Sequence, residues 1–237
     1  GLGLISSRLT VEGPIVKDQG SMVLSARRTY ADLLAQPFLE DFDDFSLYFY
    51  DLNFKANYKL GENDRIYASG YLGRDVLGTD DFGFDWGNMT FTGRWNHIFN
   101  SKLFSNTSFI YSEYDYGFNI ENGGVDVELD AGIYDYNLKQ DYNFYLNPSN
   151  EITFGWQGIY HQFKPYTFAF DGEIRSTAEE RHALEGGLYV ANEQKVSDKL
   201  RLNYGLRLSS LSNIGTYTEK SFDADGETTT ETAYESG

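Results

Sequence analysis

The sequence predicts an all-β fold, an antiparallel transmembrane β-barrel segment of about ten strands. Three observations predict it. First, polar and apolar residues alternate: Lys55, Asn57 and Lys59 interleave with Phe54, Ala56, Tyr58 and Leu60, and upstream Asp51 and Asn53 with Tyr50 and Leu52. One strand thereby carries a wholly polar face and a wholly apolar, aromatic one, as a wall between lipid and water requires. Second, the alternating stretches exceed the usual strand of about 5–6 residues. Third, aromatics are 17% of the chain, with Tyr 19 and Phe 18 against Pro 4. Tyr and Phe favour strands, and Tyr and Trp favour the membrane–water interface.

Turn signals set the element boundaries. Short polar turns fall at Lys17-Asp18-Gln19-Gly20, Gly61-Glu62-Asn63-Asp64, Asn100-Ser101, Asn147-Pro148-Ser149-Asn150 and Ser197-Asp198, as tight hairpins require. Longer acidic stretches at 31–44, 78–86, 117–126, 167–180 and 219–237 read as loops. Between them lie strands at 6–16, 21–30, 45–60, 65–77, 87–99, 102–116, 127–146, 151–166, 182–196 and 199–215. Eleven residues tilted by about 40° rise roughly 28 Å, close to the apolar band of about 25 Å in outer-membrane barrels.

A basic residue at the lipid midplane costs about 2–4 kcal/mol and little in a lumen, so cations assign the faces. On 87–99, Met89, Phe91, Gly93 and Trp95 face out against Thr90, Thr92, Arg94 and Asn96. On 127–146, Tyr134, Tyr136, Leu138, Tyr142 and Phe144 oppose Asp135, Asn137, Lys139, Asp141 and Asn143. On 151–166, Ile152, Phe154, Trp156 and Tyr160 oppose Thr153, Gly155 and Gln157. On 199–215, Leu200, Leu202, Tyr204, Leu206 and Leu208 oppose Arg201, Asn203, Gly205, Arg207 and Ser209. Strand 182–196 stays ambiguous, because Leu188 and Val190 compete with Tyr189 and Ala191. Aromatic girdles are expected from Tyr58, Phe99, Phe104, Tyr142 and Phe144 near the short turns and from Tyr30, Tyr48, Tyr50, Tyr111 and Tyr160 toward the long loops. A soluble β-sandwich with an aromatic core is the competing fold, and it needs no long strands with unbroken polar faces.

Composition narrows function. The net charge of −17 opposes sequence-independent nucleic-acid binding. No cysteine is present, which rules out a disulfide framework and thiol metal sites. No run approaches the ~18 apolar residues of a membrane helix. The start, Gly1-Leu2-Gly3-Leu4, carries no initiator Met and no signal-peptide pattern. Five short turns against four long loops put both chain ends on the long-loop side. The chain is therefore expected to be an internal slice of one barrel domain over 1–237, since an open sheet would leave bare edges in hydrocarbon.

Several phrases resemble the TonB-dependent outer-membrane receptors of the Bacteroidota, in the first half of their barrel. They are Ser7-Arg8-Leu9-Thr10-Val11-Glu12-Gly13-Pro14-Ile15-Val16-Lys17-Asp18, Ala26-Arg27-Arg28-Thr29-Tyr30-Ala31-Asp32-Leu33, Tyr48-Phe49-Tyr50-Asp51-Leu52-Asn53 and Asp64-Arg65-Ile66-Tyr67-Ala68-Ser69-Gly70-Tyr71. Gly87-Asn88 leading to Arg94-Trp95-Asn96-His97, then Leu188-Tyr189-Val190 and Asp198-Lys199-Leu200-Arg201-Leu202, complete the resemblance over about 1–215. It implies a barrel of about 22 strands plugged by an N-terminal domain. It also implies uptake of an external ligand, driven by an inner-membrane energising complex acting through TonB. Signal peptide, plug and final strands would lie outside this chain. Expected partners are outer-membrane lipid, the plug and TonB; a surface lipoprotein is admitted, and nucleic acid is not.

Lumen-facing candidates for plug or substrate contact are Arg27, Asp51, Lys55, Arg94, Asp135, Lys139 and Arg207, with Arg28 toward the upper mouth. The bland reading is that these cations pair with lumen carboxylates such as Asp51 and Asp135. His97, His161 and His182 lie on separate strands without metal-ligand spacing. The acidic runs Glu40-Asp41-Asp43-Asp44, Asp80-Asp81-Asp85 and Asp223-Asp225-Glu227 lack calcium-loop spacing and read as solvated loop tips. Asn96-His97 with a serine could form a hydrolase triad, but no Ser stands in a nucleophile context. No enzyme activity and no cofactor are expected. The rivals are a passive porin, told apart by the absence of a plug of roughly 150 residues, and a receptor-like barrel serving as a structural partner in a larger membrane assembly.

Overall fold

Most strands are joined by connections of two to four residues, which favour pairing with the neighbour in sequence. The computed structural model describes residues 1–35, 45–79, 81–122, 125–170, 173–177, 179–222 and 228–234. The elements are β1 (Ser6–Val16), β2 (Gly20–Thr29), α1 (Ala31–Ala35), β3 (Ser46–Lys59), β4 (Asp64–Thr79), β5 (Phe82–Asn100), β6 (Leu103–Asn122), β7 (Val125–Asn147), β8 (Asn150–Phe170), β9 (Glu173–Thr177), β10 (Arg181–Ser197), β11 (Leu200–Ile214), β12 (Tyr217–Phe222) and β13 (Thr228–Tyr234). One antiparallel sheet runs β1-β2-β3-β4-β5-β6-β7-β8-β10-β11, with β9 added to the end of β8; β12 and β13 form a separate hairpin. β2 and β3 pair across a longer connection, and β10 pairs with β8. The ten predicted strands are these ten, within a few residues except where β5, β6 and β8 run on. The turn between β1 and β2 places Asp18 at φ 63°, the left-handed region that a short acidic side chain tolerates.

Registers show why the alternation matters. One row reads Leu24, Phe54, Gly70, Phe91, Tyr111, Tyr136, Tyr160, Leu184 from β2 to β10. The next reads Ser25, Asn53, Tyr71, Thr90, Ser112, Asp135, His161, Ala183. Sequence neighbours occupy opposite faces, so the rows stay segregated. The ambiguous strand resolves: Leu188 pairs with Trp156 and Leu208 on the apolar face, leaving Tyr189 on the polar one. Arg28 is a correction, since it sits over the Tyr48 ring at 4.9 Å and cannot share the face of its neighbour Arg27.

No large side chain is fully buried among the described residues, while Leu206 is 80% and Leu208 73% exposed. A single-layer sheet with a continuous apolar outer surface has no second layer to cover it, which excludes the sandwich and fits a membrane-spanning barrel wall. Aromatics gather at both ends of that surface. Near the short turns, His97 lies 4.5 Å from Phe99 and Tyr142 lies 5.1 Å from Phe154. At the other end, Tyr111, Tyr136 and Tyr160 run in series at 5.1 and 6.1 Å. Two expected girdle members differ. Phe104 pairs with Asn143 on the polar face, 5.8 Å from Tyr145, and the Tyr30 hydroxyl donates to the Gly3 carbonyl.

The expectation that 78–86 and 117–126 are loops is not met. β4 continues to Thr79, β5 starts at Phe82, and β6 and β7 pair out to Asn122 and Val125. The acidic residues of these stretches suggested loops, but Gly83, Asp85 and Gly117 occupy one face of extended strands whose other face carries Phe84, Trp86 and Phe118. β9, β12 and β13 likewise fall in stretches read as loops. Of the acidic runs, Glu40, Asp41, Asp43, Asp44, Asp80, Asp223, Asp225 and Glu227 lie outside the described residues.

Two measurements check the wall. In vesicles of brominated lipid, Trp95→Phe and Trp156→Phe should each remove a lipid-quenched fraction of the fluorescence, and Trp86→Phe should not. Leu206→Arg should lower folding stability in bilayers by about 2–4 kcal/mol, and Asn203→Arg by well under 1 kcal/mol.

Candidate functional site

The predicted residues of the polar sheet face meet their partners in different ways. Arg27 on β2 donates through Nε to Asp51 on β3 at 2.6 Å. Asp51 is buried and also accepts from Asn53 Nδ2 at 3.1 Å. The guanidinium additionally stacks on the Phe49 ring at 4.7 Å. This is the pairing the bland reading foresaw.

A second group spans β7, β8, β10 and β11. Lys139 Nζ lies 3.1 Å from Asp141, and the Tyr189 hydroxyl donates to Asp141. Arg207 donates to Ser209 Oγ at 2.9 Å and Gln157 Oε1 at 3.3 Å. Both cations flank the Tyr189 ring, Lys139 at 5.7 Å and Arg207 at 5.5 Å. A side chain at Gly155 would collide with that ring and with the Gln140 carbonyl, so glycine is what admits Tyr189 here. Asp141, Gln157 and Tyr189 were not candidates on sequence, because only the register of four strands brings them together.

The remaining candidates stand apart. Asp135 engages no predicted cation; it lies 2.7 Å from His161 Nδ1, whose Nε2 is 3.6 Å from Glu185. Arg94 donates to Ser108 Oγ at 3.3 Å. Lys55 has no hydrogen-bond or ion-pair partner among the described residues. His97 and His182 lie on the opposite, apolar face, against Asp64 at 2.7 Å and the Tyr160 hydroxyl at 2.8 Å.

Beyond the upper girdle the two faces exchange character. On the formerly apolar side, Arg74 pairs with Asp85 and lies 3.2 Å from Asp115. On the formerly polar side, Phe82 packs 5.5 Å from Phe118, and Phe84 5.2 Å from Trp86. No bulge separates the zones in β4, β5 or β6, so sequence alone makes the switch. The result is a polar wall rising into an aromatic mouth. Such a surface can hold a ligand by ring contacts above and hydrogen bonds below.

No family model and no curated protein matches this sequence. Solved structures do match in fold. The ferric preacinetobactin receptor BauA of Acinetobacter baumannii superposes with TM-score 0.63 at 11% identity, over 88% of this chain and 39% of its own. FpvA of P. aeruginosa, determined with pyoverdines bound, gives TM-score 0.65 at 10% identity over 89% and 36%. The ferric-catecholate import receptor Fiu of E. coli K12 gives 0.62 at 10% identity over 98% and 45%. These are TonB-dependent receptors with β-barrels, and this chain shares their barrel fold while spanning less than half their length.

The Arg27–Asp51 pair can be tested on its own. A double-mutant cycle with Arg27→Ala and Asp51→Ala should return a coupling of about 1 kcal/mol in urea unfolding, kept small because the guanidinium is half exposed and screened by solvent.

Proposed function

We propose that this chain is part of the barrel of a TonB-dependent outer-membrane receptor of the Bacteroidota type, which captures an external ligand and imports it past a plug. Residues 1–237 then belong to one barrel domain, with plug, signal peptide and further strands contributed by the rest of the protein. What carries the reading is the polar face itself. It presents fixed charge pairs, Arg27–Asp51 across two strands and Lys139–Asp141 along β7. Such pairs offer fixed donors and acceptors against which a plug can dock. The barrel fold shared with import receptors supports the same reading.

In this reading Lys55 and Arg94, which have no carboxylate partner, contact the plug or the ligand. Asp135, Lys139, Arg207 and the Arg27–Asp51 pair line the path. The protein does no covalent chemistry and needs no cofactor; its partners are lipid, its plug, TonB and a surface lipoprotein. Planar-bilayer recordings of the full-length protein are the test. The expected outcome is a closed barrel that conducts only after the plug is deleted. A steady open pore in the intact protein would replace the receptor with a porin.

A further inference from the structure

One carboxylate is set into the aromatic mouth without an ion-pair partner among the described residues. Asp75 on β4 is paired in register with Phe49 on β3 and Trp86 on β5, and Trp86 with Tyr116 on β6. All four share the polar-face side of the sheet. One row below stands Gly73, and the Tyr71 phenol reaches up into the space a side chain at that position would fill. Asp75 is half-buried and has no hydrogen-bond or ion-pair partner among the described residues. Arg27, in the row of Gly73, is already held by Asp51 at 2.6 Å and lies against the Phe49 ring.

Ring faces carry negative electrostatic potential, so Trp86 does not compensate a neighbouring carboxylate but adds to its preference for a cation, whereas the Phe49 ring is already taken by Arg27. A hard metal ion wants six or more oxygens, and this frame supplies one carboxylate and ring faces. A weakly hydrated organic ammonium fits both components at once. The chain's net charge of −17 steers cations toward such a mouth and disfavours anions.

We propose that Asp75, with the ring of Trp86, is a subsite for a substituted ammonium group carried by the ligand. Its placement in a ligand path rests on the receptor reading; its chemistry does not. The test is calorimetric titration of the full-length protein in detergent with choline and with the neutral isostere in which tert-butyl replaces trimethylammonium. Choline should bind saturably and at least about tenfold more tightly than the isostere, a difference of about 1.4 kcal/mol. Asp75→Asn should abolish that preference, and Trp86→Leu should weaken choline by about threefold or more. Heat-modifiable migration on gels confirms that each variant is folded, and if Asp75→Asn does not assemble, the wild-type preference and Trp86→Leu still decide. Equal binding of the two compounds, no binding of choline, or a preference that survives Asp75→Asn overturns the proposal. A closed barrel that ignores choline rejects the subsite alone, and an open pore that binds choline rejects the receptor reading alone.

Discussion

Hydrocarbon offers no hydrogen bonds, so every amide that crosses it must find its partner in the protein. That one constraint organises the chain. It forces continuous antiparallel ladders from β1 to β11, and it explains why bulges keep out of the apolar band, at Pro14/Val16, Ile98/Asn100, Tyr145/Asn147 and Lys195/Ser197 beside the short turns and at Asp130/Gly132 beyond the upper girdle. A bulge within the rows that cross lipid would strand an amide there. Side chains are then free to differ between the faces, because the backbone no longer depends on them.

Function uses that freedom. Within the apolar band, charge is confined to one side, where part of it is neutralised, as by Asp51 against Arg27. Above the band both sides meet water, and the division reverses. Charges move to the outside, as with Arg74 and Asp85, and rings move to the inside, as with Trp86 and Phe118. The interior surface thus changes from hydrogen-bonding to ring-lined along a single strand.

Strand positions and face assignments were legible in the sequence wherever cations or amides marked every second residue, as on β3, β7 and β11. They were illegible on β10, where Leu188, Tyr189, Val190 and Ala191 are all compatible with lipid; only pairing with Trp156 and Leu208 decides. The misread loops have a similar cause. Gly83, Asp85 and Gly117 are turn formers by type, but glycine and aspartate also suit a wet strand face beside aromatic neighbours. Site residues were legible as individual charges, yet not as groups. The surroundings of Tyr189 and of Asp75 are each assembled from at least three strands, and no spacing within one segment encodes them.

The exchange of faces at the upper girdle also fixes how deep the wall can sit. Were the sheet to sink by two residues, Arg74, Asp85 and Asp115 would enter the acyl region; were it to rise, Leu72 and Met89 would leave it. Both displacements are opposed, so the protein is clamped vertically and the surrounding bilayer must thin or thicken to meet it.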